Sequence, residues 1–295
     1  MTEVANHSLA SLYESAEDTD PSLDYCLWTY EPPAALKGKD RSYNLLLNSW
    51  EAAGIPGDST ALNQRIRNAL GQFRTVWGVK FLKGELKWEY YFYDYRRLAR
   101  ESSIEAVLSA VAPYCNCDLN YSGTHPYFMF SIDFDRAHLC EGKPIESLNV
   151  YIGNVGSAVS SGISYLLRDE GLELGNTYYF FDRATQWEDI VAKVVCSAFA
   201  TLPDFPVADV LWPELCDCKT IVVANKRQND SVYFSRISLE QLRFFLDKMN
   251  YPEHIQGYVA QNRSQLDHLL FDVGIDYVME NDQIKITKSG YYGVF

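Results

Sequence analysis

WEYYFYDYRRLARESSIEAVLSAV (88–111), NTYYFFDRATQWEDIVAKVV (176–195) and DSVYFSRISLEQLRFFLDKM (230–249) follow one plan: an aromatic strand, a short polar turn, then a helix. Each turn carries a capping-box pattern, Ser102 with Glu105, Thr185 with Glu188 and Ser238 with Gln241, which satisfies backbone N–H groups left unpaired at a helix start. Recurrence of such a cassette implies one supersecondary unit used repeatedly. In register, Phe92-Tyr93-Asp94, Phe180-Phe181-Asp182 and Tyr233-Phe234-Ser235 coincide, and Arg183 and Arg236 fall one residue later. The first copy has Tyr95 there, with Arg96 shifted by one, so the copies mark a shared fold unit rather than a symmetric site.

Working outward, strand pairs are predicted at 75–82 with 85–95, at 220–224 with 231–237, and at 275–279 with 283–287, the last around Glu280-Asn281-Asp282. Single strands are expected at 127–133, 147–152 and 163–167. Helical periodicity marks 43–53 and 59–73, the three capped helices, and a helix from Pro252 to about residue 270. The Gly/Ser-rich run from Gly153 to Gly162 reads as a loop, and 201–217, with Pro203, Pro206 and Pro213, as irregular. Tight hairpins make the sheet mainly antiparallel. The fold class is therefore α+β: repeated helix-strand-strand-helix units whose large antiparallel sheet closes into a barrel, with helices outside. Closure removes the exposed sheet edges. Residues 1–38, acidic and interrupted by Pro21 and Pro32-Pro33, read as a partly ordered lead-in to a single domain over 39–295.

The chain has 295 residues, 47% of them apolar, enough for a sizeable core. Its 21 Tyr, 15 Phe and 6 Trp suit a pocket with wet and dry sides, because Tyr offers an apolar ring and a polar tip; aromatics also simply favour strands. A net charge of -13 argues against nucleic acid and anionic membrane surfaces as partners. The polar, acidic opening MTEVANHSLASLYESAEDTD lacks the pattern of a secretory signal, and seven cysteines point to reduced thiols in a cytoplasmic protein.

Four constellations could carry chemistry. Basic residues lie on or beside aromatic strands: Lys80, Lys87, Arg96, Lys226, Arg227, Arg236 and Lys285. Converging in a Tyr-lined cavity they would hold a diphosphate by charge-assisted hydrogen bonds; singly, each reads as a solvated hairpin end. Asp133 and Asp135 end an apolar strand, with His138 and His125 nearby, a pattern that can hold a divalent metal such as Mg2+ but equally suits a polar strand end. Cys115 with Cys117 and Cys216 with Cys218 form CxC pairs, for which free thiols are the better reading than zinc. Gly153, Gly156 and Gly162 with Ser157, Ser160 and Ser161 suit an anion-cradling loop or a lid, without the spacing of a nucleotide fingerprint. Asp267-His268 sits in an apolar helical context and reads as structural.

The stretch NKRQNDSVYFSRISLEQLRFFLDKM (225–249), a Lys/Arg-rich turn leading to a strand with an aromatic pair and then a helix, resembles the corresponding hairpin of the ABBA prenyltransferases. The resemblance implies a closed antiparallel barrel whose lumen binds an allylic diphosphate and an aromatic or peptide acceptor, with Lys226 on the diphosphate and Arg236 as a second base. The chemistry it implies is that of a biosynthetic transferase. Tyr91, Tyr93, Tyr179 and Tyr233 would shield the allylic cation, Lys80, Lys87 and Lys285 would add to the diphosphate site, and Glu89, in phase with Tyr91 and Tyr93, would take the proton from the acceptor. The alternatives are a metal-dependent transferase built on Asp133 and Asp135, and a non-enzymatic binding or partner subunit. Which face of 85–95 turns inward is not fixed by the sequence.

Overall fold

A computed structural model describes residues 9–96, 100–117, 119, 125–153, 160–197, 205–281 and 283–295. Gly156, Ser157, Pro203 and Asp282 lie outside these residues. The strands are Thr75–Leu82 (β1), Glu85–Tyr93 (β2), Met129–Phe134 (β3), Leu148–Gly153 (β4), Ser160–Arg168 (β5), Gly171–Asp182 (β6), Thr220–Asn225 (β7), Asp230–Ile237 (β8), Phe271–Glu280 (β9) and Gln283–Val294 (β10). Each pairs antiparallel with its neighbour in sequence, and β10 pairs with β1 to close a ten-stranded barrel. The terminal SGYYGVF, which the sequence leaves unassigned, is the closing half of β10, with Val294 opposite Val76 and Tyr292 opposite Gly78.

The helices are Tyr43–Ala52 (α1), Thr60–Leu70 (α2), Ile104–Val111 (α3), Arg136–Glu141 (α4), Trp187–Val195 (α5), Leu239–Lys248 (α6), Glu253–Gln261 (α7) and Arg263–Leu266 (α8). They cover the outside of the barrel, and strand alternation supplies the interface. On β2 the outward residues are Trp88, Tyr90 and Phe92, all fully buried. Trp88 meets Trp50 of α1 edge-on at 6.4 Å, and its indole N–H donates to Ser49 Oγ at 2.9 Å. Tyr90 donates to Asn63 Oδ1 of α2 at 2.7 Å. The opposite phase, Lys87, Glu89, Tyr91 and Tyr93, therefore turns inward. Among the described residues no helix is long and apolar enough to cross a membrane.

Only the third predicted capping box forms as drawn, with Ser238 accepting from Gln241 N and Gln241 Oε1 accepting from Ser238 N. The first helix starts one residue later, on Ser103, which accepts from Ala106 N at 3.1 Å. In the second cassette Asp182 takes over the turn, accepting from Ala184 N and Thr185 N, and Thr185 is not the cap. A fourth capping box, Asp135 with His138, opens α4.

The lead-in is fastened to the barrel over its described residues. Arg41 bridges Glu14 and Asp20, Glu14 N donates to Asn44 Oδ1, and a bridge between Leu23 and Thr29 folds 23–29 into a small hairpin against one end of the barrel.

Inside, two glycines set the width. A Cβ on Gly78 would stand 2.7 Å from Tyr292 Cε1, and one on Gly274 would come closer still to the Tyr233 ring. Both rings lie flat on the barrel wall because the residue opposite has no side chain. Gly274→Ala is expected to displace Tyr233 and to destabilise the fold by about 1–3 kcal/mol, the usual cost of overpacking. Thermal denaturation checks this; an unchanged melting temperature would mean that the ring is free to move aside.

Candidate functional site

The barrel encloses a cavity of about 500 Å3, large enough for a small organic ligand. Its two ends differ in chemistry. Towards the β1–β2, β7–β8 and β9–β10 hairpins it is charged; towards the 23–29 hairpin it is aromatic.

Two ion-pair groups make the charged end. Lys80 of β1 contacts Glu89 and lies 2.7 Å from Asp133. These three sit on adjacent strands, Glu89 directly opposite both Gly78 and Asp133 in the ladders. Glu89 also accepts from Tyr91 at 2.6 Å and from Ser131, and Asn149 donates to Asp133 at 3.2 Å. In the second group Asp276 of β9 holds Lys226 at 2.8 Å and Lys288 of β10 at 2.7 Å, and accepts from Ser231 at 2.6 Å. Arg227, at the rim, pairs with Glu173.

Burial sets the protonation states. Burial alone would raise the Glu89 and Asp276 carboxyls, but Lys80 in one case and Lys226 with Lys288 in the other hold both below the usual range. Burial would lower the Lys226 ammonium, but Asp276 outweighs it and keeps the charge. Lys288 is the exception: burial, with the nearby charges of Lys226 and Lys80, lowers it to about 8 despite Asp276. Lys226 and Lys288 together have one carboxylate between them, which makes Lys288 the cation least well compensated.

The uncharged wall is a ribbon of tyrosines. Tyr292 lies 6.0 Å from Tyr91 and 6.3 Å from Tyr233, ring to ring, and Tyr151 lies 5.9 Å from Tyr178. Burial pushes the phenols of Tyr91, Tyr151, Tyr233 and Tyr292 well up, so the wall stays neutral. The Lys226 ammonium stands 5.6 Å over the Tyr233 ring, within cation–π range.

The far end is closed by the lead-in. Asp24 and Asp272 are both buried, and Asp24 accepts from Cys26 N, Trp28 N and Arg236 Nε. Asp272 accepts from Tyr25 N, Ser235 Oγ and Arg236 N. Burial, with Asp24 beside it, raises the Asp272 carboxyl towards neutrality. Arg236 itself adopts a left-handed backbone, φ 63°, at a β-bulge in β8. A side chain in this region is uncommon outside glycine, and here it aims the guanidinium at the hairpin.

Of the residues singled out in the sequence, Lys80, Glu89, Tyr91, Tyr93, Asp133, Lys226, Arg227 and Tyr233 border the cavity. Six do not serve the lumen as expected. Arg236 latches the lead-in at the opposite end from Lys226. Tyr179 faces α5, under Lys193 Nζ at 4.2 Å, and its neighbour Tyr178 is the one inside. Lys285 is exposed near the β9–β10 hairpin tip and pairs with Glu280. Asp135 caps α4 and binds the His138 ring at 2.6 Å, so Asp133 and Asp135 do not converge on one site. Lys87 shares the inward phase, opposite Lys80, but is not among the cavity-lining residues. Arg96 is exposed on Glu101.

Among the described residues no three His, Cys, Asp or Glu side chains gather to hold a metal ion. All seven cysteines are free thiols, and Cys115 donates to the His138 carbonyl. His268 is buried, which lowers its pKa. Of the Gly/Ser run, Ser161 and Gly162 border the cavity.

Lys288, Asp276, Tyr292, Tyr178, Tyr151 and Tyr25 are among the lining residues that sequence reasoning missed. The spacing Lys285-x-x-Lys288 hides the inward lysine, because a bulge between Ile286 and Lys288 shifts the strand phase.

No protein-family model matches the chain, and no curated protein matches it.

Inorganic pyrophosphate probes the charged end. Below about pH 8 Lys288 carries its proton; above it the cation is lost, so binding should weaken as pH rises through that value. Lys288→Met should bind about tenfold more weakly at pH 7, the scale of one charge-assisted hydrogen bond, and should lose this pH step. Calorimetry on both proteins in the same buffers cancels the titration of the ligand, and identical pH profiles would contradict the assignment.

Proposed function

We propose that the protein transfers a prenyl group from an allylic diphosphate to an aromatic or peptide acceptor inside the barrel. The observation that carries this reading is the meeting of three lysines, Lys80, Lys226 and Lys288, with a neutral tyrosine wall in one cavity within the barrel. The resemblance of 225–249 to the ABBA prenyltransferases supports it, since Lys226 is the residue that the resemblance assigns to the diphosphate.

Three lysines face three carboxylates, Glu89, Asp133 and Asp276, so the unliganded cluster is neutral. The three acids are not equivalent: Asp133 is 58% exposed in its side chain, against 5% for Glu89 and 8% for Asp276. An arriving diphosphate displaces Asp133 into water at little cost and takes its place on Lys80. Lysine charge then stabilises the leaving group as the allylic C–O bond breaks and its electron pair departs with the diphosphate. Tyr91, Tyr233 and Tyr292 exclude water from the allylic cation and stabilise it through their ring faces. The π electrons of the acceptor form the new C–C bond, and its proton passes to a carboxylate or to the released diphosphate. The alkylated ring is so strong an acid that Glu89, though held by Lys80, is basic enough to receive it.

The test uses dimethylallyl diphosphate and calorimetry, with and without Mg2+. Wild type should bind, and Lys226→Met should lose at least tenfold in affinity. Asp133→Asn should bind several-fold more tightly, because a competing anion is gone. A metal-dependent site at Asp133 predicts the opposite sign. No binding by wild type under either condition would refute the proposal.

A further inference from the structure

We infer that residues 21–30 form a flap over the aromatic end of the cavity, latched shut by the cluster of Asp24, Asp272 and Arg236 and released when Asp272 gives up its proton, whatever ligand the cavity takes. The flap carries the 23–29 hairpin, whose Tyr25, Cys26 and Trp28 border the cavity. Its flanks are tied down. On one side Asp20 is held by Arg41; on the other the Asp40 N–H donates to the Gln265 carbonyl. Between these anchors the barrel grips the flap by named bonds. Tyr25 N donates to Asp272, and Arg236 donates to Asp24 and to the Thr29 carbonyl. Tyr93 and Tyr95 donate to the Tyr25 and Cys26 carbonyls, and Leu270 N donates to the Tyr30 hydroxyl.

The latch is short of positive charge. Asp24 and Asp272 are each 3% exposed, and one guanidinium stands beside them. Arg236 commits its side chain to Asp24 and the Thr29 carbonyl and meets Asp272 only through its backbone N–H. The other titratable groups around Asp272 add no cation. Tyr25, Cys26 and Tyr30 of the flap stay neutral because burial pushes them up, and so does Cys218 just before β7. Asp20, Arg41 and His268 border a small cleft that Asp272 also borders. Arg41 is taken by Glu14 and Asp20, and burial, with Lys39, lowers His268, which keeps its ring neutral. Ionised together, Asp24 and Asp272 bury two negative charges against one positive among the described residues; with Asp272 protonated, a neutral Asp24–Arg236 pair remains. Burial, with Asp24 beside it, accordingly raises the Asp272 carboxyl to about 7. Opening the flap lets water reach both acids and returns Asp272 to the ordinary carboxylate range. The closed form thus binds a proton that the open form releases. Closure is favoured most below about pH 4, weakens as pH rises towards about 7, and changes little above that.

Two amides bonded across the boundary of flap and barrel, Tyr25 N and Leu270 N, report the opening. Their hydrogen exchange, corrected for the intrinsic rate at each pH, gives the opening equilibrium. In wild type it should rise by up to about tenfold per pH unit from about pH 5 to about pH 7, the slope of one released proton, and then level off. The amides of Leu242 and Phe245 in α6 should show no such rise. Asp272→Asn, neutral at every pH, should give a flat profile at the flap. The neutral dye N-phenyl-1-naphthylamine, followed by stopped-flow fluorescence, should enter wild type several-fold faster at about pH 7 than at about pH 5.5, and Asp272→Asn at one rate. A wild-type exchange profile that is flat or falls over this range overturns the inference whatever the variant does. So does the wild-type slope persisting in Asp272→Asn, or a dye that enters wild type equally fast at both pH values or not at all.

Discussion

Three lysine ammoniums lie inside this barrel, and an ammonium moved out of water must be paired or lose its proton. That requirement organises the lumen. Glu89 and Asp276 are the fixed counter-charges, each held additionally by a hydroxyl donor, Ser131 or Ser231, from the adjacent strand. Within each group the partners lie on neighbouring strands, and closure of the sheet brings the two groups together: Lys80 is on β1 and Glu89 on β2, while Lys226 is just beyond β7, Asp276 on β9 and Lys288 on β10. The seam between β1 and β10 sets Lys80 opposite Gly290, two residues from Lys288. An open sheet with the same strands would leave these groups solvated and unremarkable.

The same closure explains the tyrosines. Inward-facing rings on neighbouring strands would collide if every opposite position carried a side chain. Gly78 and Gly274 relieve this, so that Tyr292 and Tyr233 line the wall instead of filling the centre, and the cavity stays open. The outward phase of the same strands is equally aromatic but serves packing, with Trp77, Trp88, Tyr90 and Phe92 under the helices. Thus one composition has two uses, divided by strand phase alone.

Much of the architecture was legible, because hairpin turns, capped helices and strand alternation are local signals. The ten strands and the barrel followed from them. Lys226 was legible too, since a basic turn before an aromatic strand is a local feature. Phase and long-range pairing were not. Tyr178 and Tyr179 are adjacent and look equivalent; the ladder with β7, in which Tyr178 faces Ala224 and Tyr179 faces Val223, decides which is inside. Lys288 was hidden by a bulge, and SGYYGVF was left unplaced because its position is set by the long-range seam with β1. Arg236 was misassigned for a similar reason: its left-handed backbone turns it towards Asp24, more than two hundred residues away in sequence. A lead-in that looked loosely attached proves to build one end of the cavity, through contacts that no local pattern announces.

The central claim is that the lumen receives an allylic diphosphate with its phosphates on the lysines. The most direct measurement is a crystal structure with a non-hydrolysable geranyl thiolodiphosphate. The account predicts phosphate oxygens within hydrogen-bond distance of Lys226 and Lys288, Asp133 turned away from Lys80, and the chain lying along Tyr233 and Tyr292 towards the 23–29 hairpin. A diphosphate bound outside the barrel, or lodged at the Arg236 end with the lysine pairs intact, would contradict it.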